Sequence, residues 1–174
     1  MESPVISKES ETPELEIRTP ETNDAAQICQ LVRDSGVLDA NSAYLYLLLC
    51  RDFSDTCLVA CRAGDVVGFV SGYRMPRDPT VLFIWQVGIS PEVKRQGVAS
   101  RLLRELVMRC EEKSLLAIEA TVSPSNIASR RLFESLARTL DVPLIDLPHD
   151  GFSTADFPPG DHEVEPRIRI GPLN

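Results

Sequence analysis

The feature that most constrains this chain is a change of hydrophobic period between Phe83 and Arg104, FIWQVGISPEVKRQGVASRLLR. Phe83 to Ile89 is apolar with a single Gln and no charge, the pattern of a strand covered on both faces. From Ala99 onward, Ala99, Leu102, Leu103, Leu106, Val107 and Cys110 recur at the three-and-four spacing of one helix face. A short connection therefore joins a buried strand to an amphipathic helix. Within it Gly97 lets the backbone approach a ligand, and the first free N–H groups of the helix point outward. That geometry is an anion site, most naturally for phosphate.

The flanking segments alternate in the same way. Leu15 to Arg18 reads as a short strand, and Thr19 to Asp24 supplies capping residues and early negative charge for a helix that buries Ala25, Ile28, Cys29, Leu31 and Val32 and stops at Gly36. A loop from Val37 to Ser42 precedes a second helix, Ala43 to Cys50, capped by Asn41 or Ser42. That helix is apolar nearly all round, so it is either buried or covered on its outer side by a substrate or a dimer partner. Thr56–Arg62 and Val66–Met75 are β-type runs joined by a Gly-containing hairpin loop, and Pro76 to Pro79 is a turn. After the central strand and helix come a strand over Leu115–Val122, a helix over Ile127–Arg138, a strand over Val142–Leu147, a long loop from Pro148 to Gly160 and a closing strand over Val164–Ile170. The order predicts an α/β (α+β) fold with a central, mostly antiparallel mixed sheet flanked by about four helices.

At 174 residues and 43% hydrophobic, the chain fits one domain, expected over residues 15–174 behind a disordered acidic tail at 1–14. A net charge of −8 argues against a nucleic-acid surface and a polybasic membrane anchor. Most of that excess lies between Asp141 and Glu165, with seven acids and no Lys or Arg, either a solvated surface or an acidic pocket wall for a cationic substrate. The five cysteines include no C-x-x-C pair, which fits buried thiols in a reduced cytoplasm rather than a disulfide framework or a zinc ribbon. No H-E-x-x-H, G-x-S-x-G or P-loop is present, so no metal site, serine hydrolase or nucleotide chemistry is indicated.

The combination of a buried strand, K-R-Q-G-V-A, an amphipathic helix, a strand and S-P-S-N-I-A-S-R-R-L-F resembles the GNAT acetyltransferase superfamily in spacing and order. In that superfamily a Q/R-x-x-G-x-G/A motif wraps the pyrophosphate of acetyl-CoA. Here Lys94 stands at its first position, Gly97 at its glycine and Ala99 at its last, with Arg95, Gln96, Val98 and Ser100 completing the turn. Lys94 keeps a cation there but lacks the planar fork of an Arg, which Arg95 can supply. The resemblance implies that Val87, Gly88 and Ile89 pair with the pantetheine arm, that an N–H near Val87 stabilises the oxyanion, and that Asn126 and Ser129 contact the cofactor. Phe133 departs from the pattern, since many members carry there a Tyr that protonates the leaving thiolate; Tyr44 is the alternative acid, or solvent suffices.

A narrower likeness lies in Leu38-Asp39-Ala40-Asn41-Ser42-Ala43-Tyr44 and Phe83-Ile84-Trp85-Gln86-Val87. These stretches are similar to the branch of the superfamily that acetylates L-2,4-diaminobutyrate in ectoine biosynthesis, implying a cytoplasmic homodimer acting on a small diamino acid. That substrate bears two ammonium groups and one carboxylate, so its site needs acids and acceptors at fixed places. Asp39 and Glu119 are the acids least explained by solvation. Glu119 is the first candidate for the base that deprotonates the amine and Asp39 the second. Asn41, Tyr44, Trp85, Gln86 and His162 are the other expected substrate contacts, the Trp85 indole N–H suiting a carboxylate. Two further readings stay open: a GNAT enzyme for another amine, such as a protein N-terminus, a lysine or an aminoglycoside, and a non-catalytic CoA-binding dimer module.

Overall fold

A computed structural model describes residues 13–36, 38–111, 114–160 and 162–173. The tail expected over 1–14 lies outside these residues except for its last two. Eleven main elements follow: β1 (Leu15–Arg18), α1 (Ala25–Ser35), α2 (Ala43–Arg51), β2 (Cys57–Arg62), β3 (Asp65–Met75), β4 (Asp78–Ile89), α3 (Val98–Glu111), β5 (Ala117–Thr121), α4 (Ile127–Leu140), β6 (Leu144–Phe152) and β7 (Glu165–Ile170). The strands form one sheet in the order β1-β2-β3-β4-β5-β7-β6. Every neighbouring pair is antiparallel except β4 with β5.

Strand β2 shows why its sequence, CLVACR, has no polar half. Cys57, Val59 and Cys61 enter a core shared with α1 and α2, while Leu58 and Ala60 enter a second core shared with α3 and α4. Alternate side chains thus meet apolar partners on both faces. Helix α3 buries Val98, Leu102, Leu103, Leu106, Val107 and Cys110, the stripe that its period predicts with Val98 in place of the half-buried Ala99. Helix α1 ends at Gly36, whose φ of 63° is the left-handed C-cap geometry that glycine adopts without strain. Ser42 rather than Asn41 caps α2, its hydroxyl accepting from the Tyr44 N–H. A bidentate pair ties β1 to the start of α1, with Arg18 donating to Asp24 at 2.7 and 2.9 Å. Asp24 is only 3% exposed, and the guanidinium holds its carboxyl below the ordinary carboxylate range.

Two expectations are corrected. The central strand begins at Asp78, not Phe83, because Pro76 and Arg77 complete the turn and Met75 already pairs with Asp78. The long loop expected from Pro148 is strand as far as Phe152, followed by a 3-10 turn at Thr154–Asp156. Pro148 falls where the β6–β7 register shifts, between Leu147 and Gly151, on the edge strand of the sheet, where a missing N–H is tolerated. Helix α2 is not covered all round in the single chain: Tyr46, Leu49 and Cys50 are buried, but Tyr44 is 63% and Leu47 39% exposed.

Candidate active site

The site is a parting of strands. β4 and β5 pair only at Val81↔Ala117, Leu82↔Ile118 and Phe83↔Glu119. Beyond Phe83 the two diverge, and a cavity of about 650 Å³ opens between Phe83–Val87 on one side and Ala120, Thr121 and Ser123 on the other. Ser125, Asn126 and Ser129 border it from the start of α4, and Asn126 caps that helix by accepting from the Ser129 N–H at 3.1 Å.

A β-bulge aims β4 into this cavity. On β3, Ser71 faces Gln86 and Gly72 faces Ile84, which leaves Trp85 without a partner. The extra residue reverses the alternation of the strand. Ile84 packs in the α3/α4 core, and Val87 and Ile89 pack against the same core, a spacing of three across the bulge where an unbroken strand would give two. Gln86 and Gly88 consequently turn to the α1/α2 side. A Cβ on Gly88 would lie 2.3 Å from the Phe69 ring, so only glycine fits. Trp85, expected to be covered, is 41% exposed and lines the cavity. Gln86 is 6% exposed, and its Nε2 donates to the Asp39 carbonyl at 3.1 Å, binding the α1–α2 loop to the bulged strand.

The turn before α3 has the form its sequence predicts. After a 3-10 segment at Pro91–Val93, both Arg95 and Gly97 adopt positive φ, 63° and 74°. The first backbone bond of α3 runs from the Arg101 N–H to the Gly97 carbonyl at 3.0 Å, so the N–H groups of Val98, Ala99 and Ser100 precede the helical ladder. Nothing lies within 4 Å of where a Gly97 Cβ would stand. Lys94, Arg95 and Gln96 are exposed, though Gln96 is spent locally, donating to the Glu92 carbonyl and accepting from Arg62, each at 3.0 Å.

At the other end of the cavity the determinants are charged side chains. Glu119 is 6% exposed and accepts from Arg167 at 2.7 Å and Arg169 at 2.6 Å. Asp39 lines the cavity and is exposed, with no hydrogen bond or ion pair to its carboxylate among the described residues. Glu163 and Glu165 line it too, the first accepting from the Ser125 N–H at 3.1 Å and the second from the Thr121 hydroxyl at 2.7 Å. The acidic segment therefore supplies part of the wall. His162 stacks on Phe157 with ring centroids 4.6 Å apart, and both face the cavity. Arg130 donates to Glu134 and to Asp146, holding the Asp146 carboxyl below its usual range and fastening α4 to β6 beside this wall.

Of the residues singled out in the sequence, Asp39, Trp85, Gln86, Val87, Asn126, Ser129 and His162 meet around one cavity. Lys94 to Ser100 form the separate turn at the head of α3, and Gly88 and Ile89 complete the strand beside it. Glu119 is not among the lining residues and stands behind Arg167. Asn41 serves its own loop, donating to the Asp39 carbonyl at 3.1 Å. Tyr44 lies on the outer face of α2, away from the cavity of this chain. Phe133 is 4% exposed and presents only hydrocarbon to the cavity. Sequence reasoning passed over Tyr73, Thr121 and Arg167, all of which line the cavity. A signal for Arg167 was present in E-P-R-I-R-I, where Glu165, Arg167 and Arg169 alternate with Pro166 and the buried Ile168 and Ile170. No cluster of metal-ligating side chains occurs among the described residues.

A splayed parallel pair, a bulge at the opening and a glycine turn at a helix N-terminus define an acyl-CoA transferase fold, and residues 21–137 match the acetyltransferase (GNAT) family: the chain belongs to it. Within that family it is 41% identical to an L-2,4-diaminobutyric acid acetyltransferase of Nocardia farcinica, over 90% of this chain and 80% of the other. Identity to the protein of the same name from Streptomyces coelicolor is 42%, over 92% and 95%. Among solved structures, the diaminobutyrate acetyltransferase EctA of Paenibacillus lautus, in complex with its substrate L-2,4-diaminobutyric acid and coenzyme A, superposes with a TM-score of 0.87 at 43% identity, covering 92% of this chain and 96% of that one.

Proposed function

We propose that this protein transfers the acetyl group of acetyl-CoA to the γ-amino group of L-2,4-diaminobutyrate, giving N4-acetyl-L-2,4-diaminobutyrate for ectoine biosynthesis. The observation that carries this reading is the near-complete superposition on the Paenibacillus lautus enzyme, solved with that substrate and coenzyme A. The cavity agrees in kind. Among the described residues three carboxylates, Asp39, Glu163 and Glu165, line it and suit a substrate with two ammonium groups.

In this reading the turn from Lys94 to Ser100 holds the pyrophosphate. Its open space at Gly97 and its unpaired N–H groups fit an anion approaching the backbone. The edge of β4 at Val87 to Ile89 carries the pantetheine arm, with Asn126 and Ser129 beside it. The neutral γ-amine attacks the thioester carbonyl, a tetrahedral oxyanion forms beside the β4 backbone, the nitrogen sheds its now surplus proton to water, and the oxyanion collapses to the amide as the C–S bond breaks and the thiolate leaves. Before attack the ammonium gives up a proton. Glu119 has both carboxylate oxygens engaged by guanidinium groups, so Asp39 takes the role of base. With Phe133 in the cavity wall and Tyr44 outside it, the thiolate, whose ordinary pKa is about 8.5, leaves without a tyrosine acid.

The domain at 15–174 acts in the cytoplasm as a homodimer. No helix among the described residues is long and apolar enough to cross a membrane. The outer face of α2 and its C-terminal loop, with Tyr44, Leu47 and Phe53 all exposed, supports a second copy packed there. The test is acetyl-CoA turnover with diaminobutyrate, ornithine and lysine side by side. Diaminobutyrate is expected to have the highest kcat/KM, and equal use of the three amines would overturn the assignment.

A further inference from the structure

Strands β5, β7 and β6 present to the cavity a sheet face that neither α1 nor α2 covers. Glu119 and Thr121 point to it from β5, directly opposite Arg169 and Arg167 of β7 in the antiparallel register. On this face two guanidinium groups share one carboxylate: Arg167 Nη1 donates to Glu119 Oε2 at 2.7 Å, and Arg169 Nη1 donates to Oε1 at 2.6 Å. Arg169, whose side chain is 36% exposed, keeps much of its hydration, whereas that of Arg167 is 14% exposed.

The Arg167 guanidinium is held in a fixed plane. Its Cζ lies 5.4 Å from the centroid of the Phe83 ring, and Phe83 also lines the cavity. Nη1 is directed at Glu119, but Nε is buried without a hydrogen-bond partner. The other acid near it is Asp150, whose Oδ1 is 3.7 Å from Nε, beyond hydrogen-bond reach, on a side chain 64% exposed. An arginine held by one edge and stacked on a ring has another edge to offer a planar anion. Arg167 is also the single Lys or Arg among the described residues lining the cavity, where the other charged groups are Asp39, Glu163 and Glu165.

We propose that Arg167 is the receptor for the α-carboxylate of the acceptor amino acid and that Glu119 is its positioning residue, fixing the guanidinium plane against Phe83. The inference rests on the functional reading above and adds the group that separates an amino acid from a bare diamine. Ammonium groups go to the three cavity acids, and the one anionic group of the substrate goes to the one cavity cation.

The experiment compares kcat/KM for L-2,4-diaminobutyrate with that for 1,3-diaminopropane, the same diamine without the carboxylate. In the unaltered protein diaminobutyrate is expected to be preferred by about 100-fold or more. Arg167→Met is expected to remove most of that preference by lowering diaminobutyrate use about 100-fold while diaminopropane use changes little. Glu119→Gln is expected to raise KM for diaminobutyrate roughly tenfold with kcat retained and diaminopropane unaffected, a split that loss of general packing would not produce. An undiminished preference in Arg167→Met, or an equal loss for both amines, would overturn the inference. If Arg167→Met does not fold, Arg167→Lys carries the test, keeping a cation beside Glu119 but lacking the fork; an unaltered preference there is equally fatal. Absence of diaminobutyrate turnover by the unaltered protein overturns the functional reading itself, a result distinct from turnover with no role for Arg167.

Discussion

On the function proposed above, the two ends of the site recognise their ligands by different means. At the head of α3 recognition is built from backbone: two positive-φ residues, Arg95 and Gly97, and the first N–H groups of a helix, with side chains exposed around them. At the far end of the cavity it is built from side chains that other side chains hold, Glu119 between two arginines, Glu165 under Thr121 and Glu163 on the Ser125 N–H. A backbone cradle accepts any ligand with the right phosphates. A set of oriented charges selects by the number and sign of the groups it meets. The division fits a family in which one donor serves many acceptors.

The largest expected effect breaks the backbone end. Gly97→Val puts a β-branched residue at a φ of 74°, in the space where the pyrophosphate would approach. Strain and occlusion together are expected to weaken acetyl-CoA binding by about 100-fold, read by calorimetry, with the acceptor end left intact. Retained affinity would remove the turn from the site. Outside both ends, Asp24→Asn is expected to cost about 2 kcal/mol of stability at neutral pH, measured by urea unfolding, with kcat unchanged. Because Arg18 depresses the Asp24 carboxyl in the folded chain, this contribution is fully present above the ordinary value near 3.8 and is lost as pH falls through the lower folded value. The variant and parent curves should therefore converge in acid, and a gap that persists there would mean that the ion pair is not the cause.

A smaller change sharpens the side-chain end. Asp39→Asn is expected to lower kcat/KM for diaminobutyrate roughly tenfold while acetyl-CoA affinity stays the same. Equal loss for both ligands would make Asp39 structural. The smallest effect concerns the thiols of the α1/α2 core. Burial pushes the Cys50 thiol up to about 11 and the Cys57 thiol up to about 12. Unfolded thiols ionise at lower pH than these, so stability is fully present below about 9 and declines as pH rises toward the folded values. Labelling by iodoacetamide at pH 8 should be slow at both positions until the protein unfolds. Fast labelling of the folded protein would show that this core opens.

The same contrast decides what could be read in the sequence. Gly97 and the apolar stripe of α3 are contiguous, and local spacing alone located the turn and its helix. Asp39, Trp85 and Gln86 were accessible through a motif resemblance, and the hydrogen bond from Gln86 to the Asp39 carbonyl joins residues 47 positions apart. The ion pairs of Glu119 were not legible, since Arg167 and Arg169 stand 48 and 50 positions away. A lone acid inside an apolar strand therefore looked like a base until its partners were placed. The bulge was hidden for another reason. In FIWQVGI nearly every position is apolar, so no alternation exists whose reversal could be noticed. The bare face of α2 was left undecided, since the helix is apolar nearly all round and periodicity cannot tell a face covered by the same chain from one left exposed.

The bulge at Trp85 divides β4 into two stretches that can be varied separately. Residues before it are in register with β5, and those after it present the edge proposed for the thioester donor. For directed evolution of acceptor choice, this places a natural boundary inside a single strand. Libraries over Phe83 to Trp85 would explore new amines while the donor-side frame is inherited unchanged, whereas deleting Trp85 would make Ile84 and Gln86 consecutive opposite Gly72 and Ser71, straightening the strand and removing the side chain that the bulge turns into the cavity.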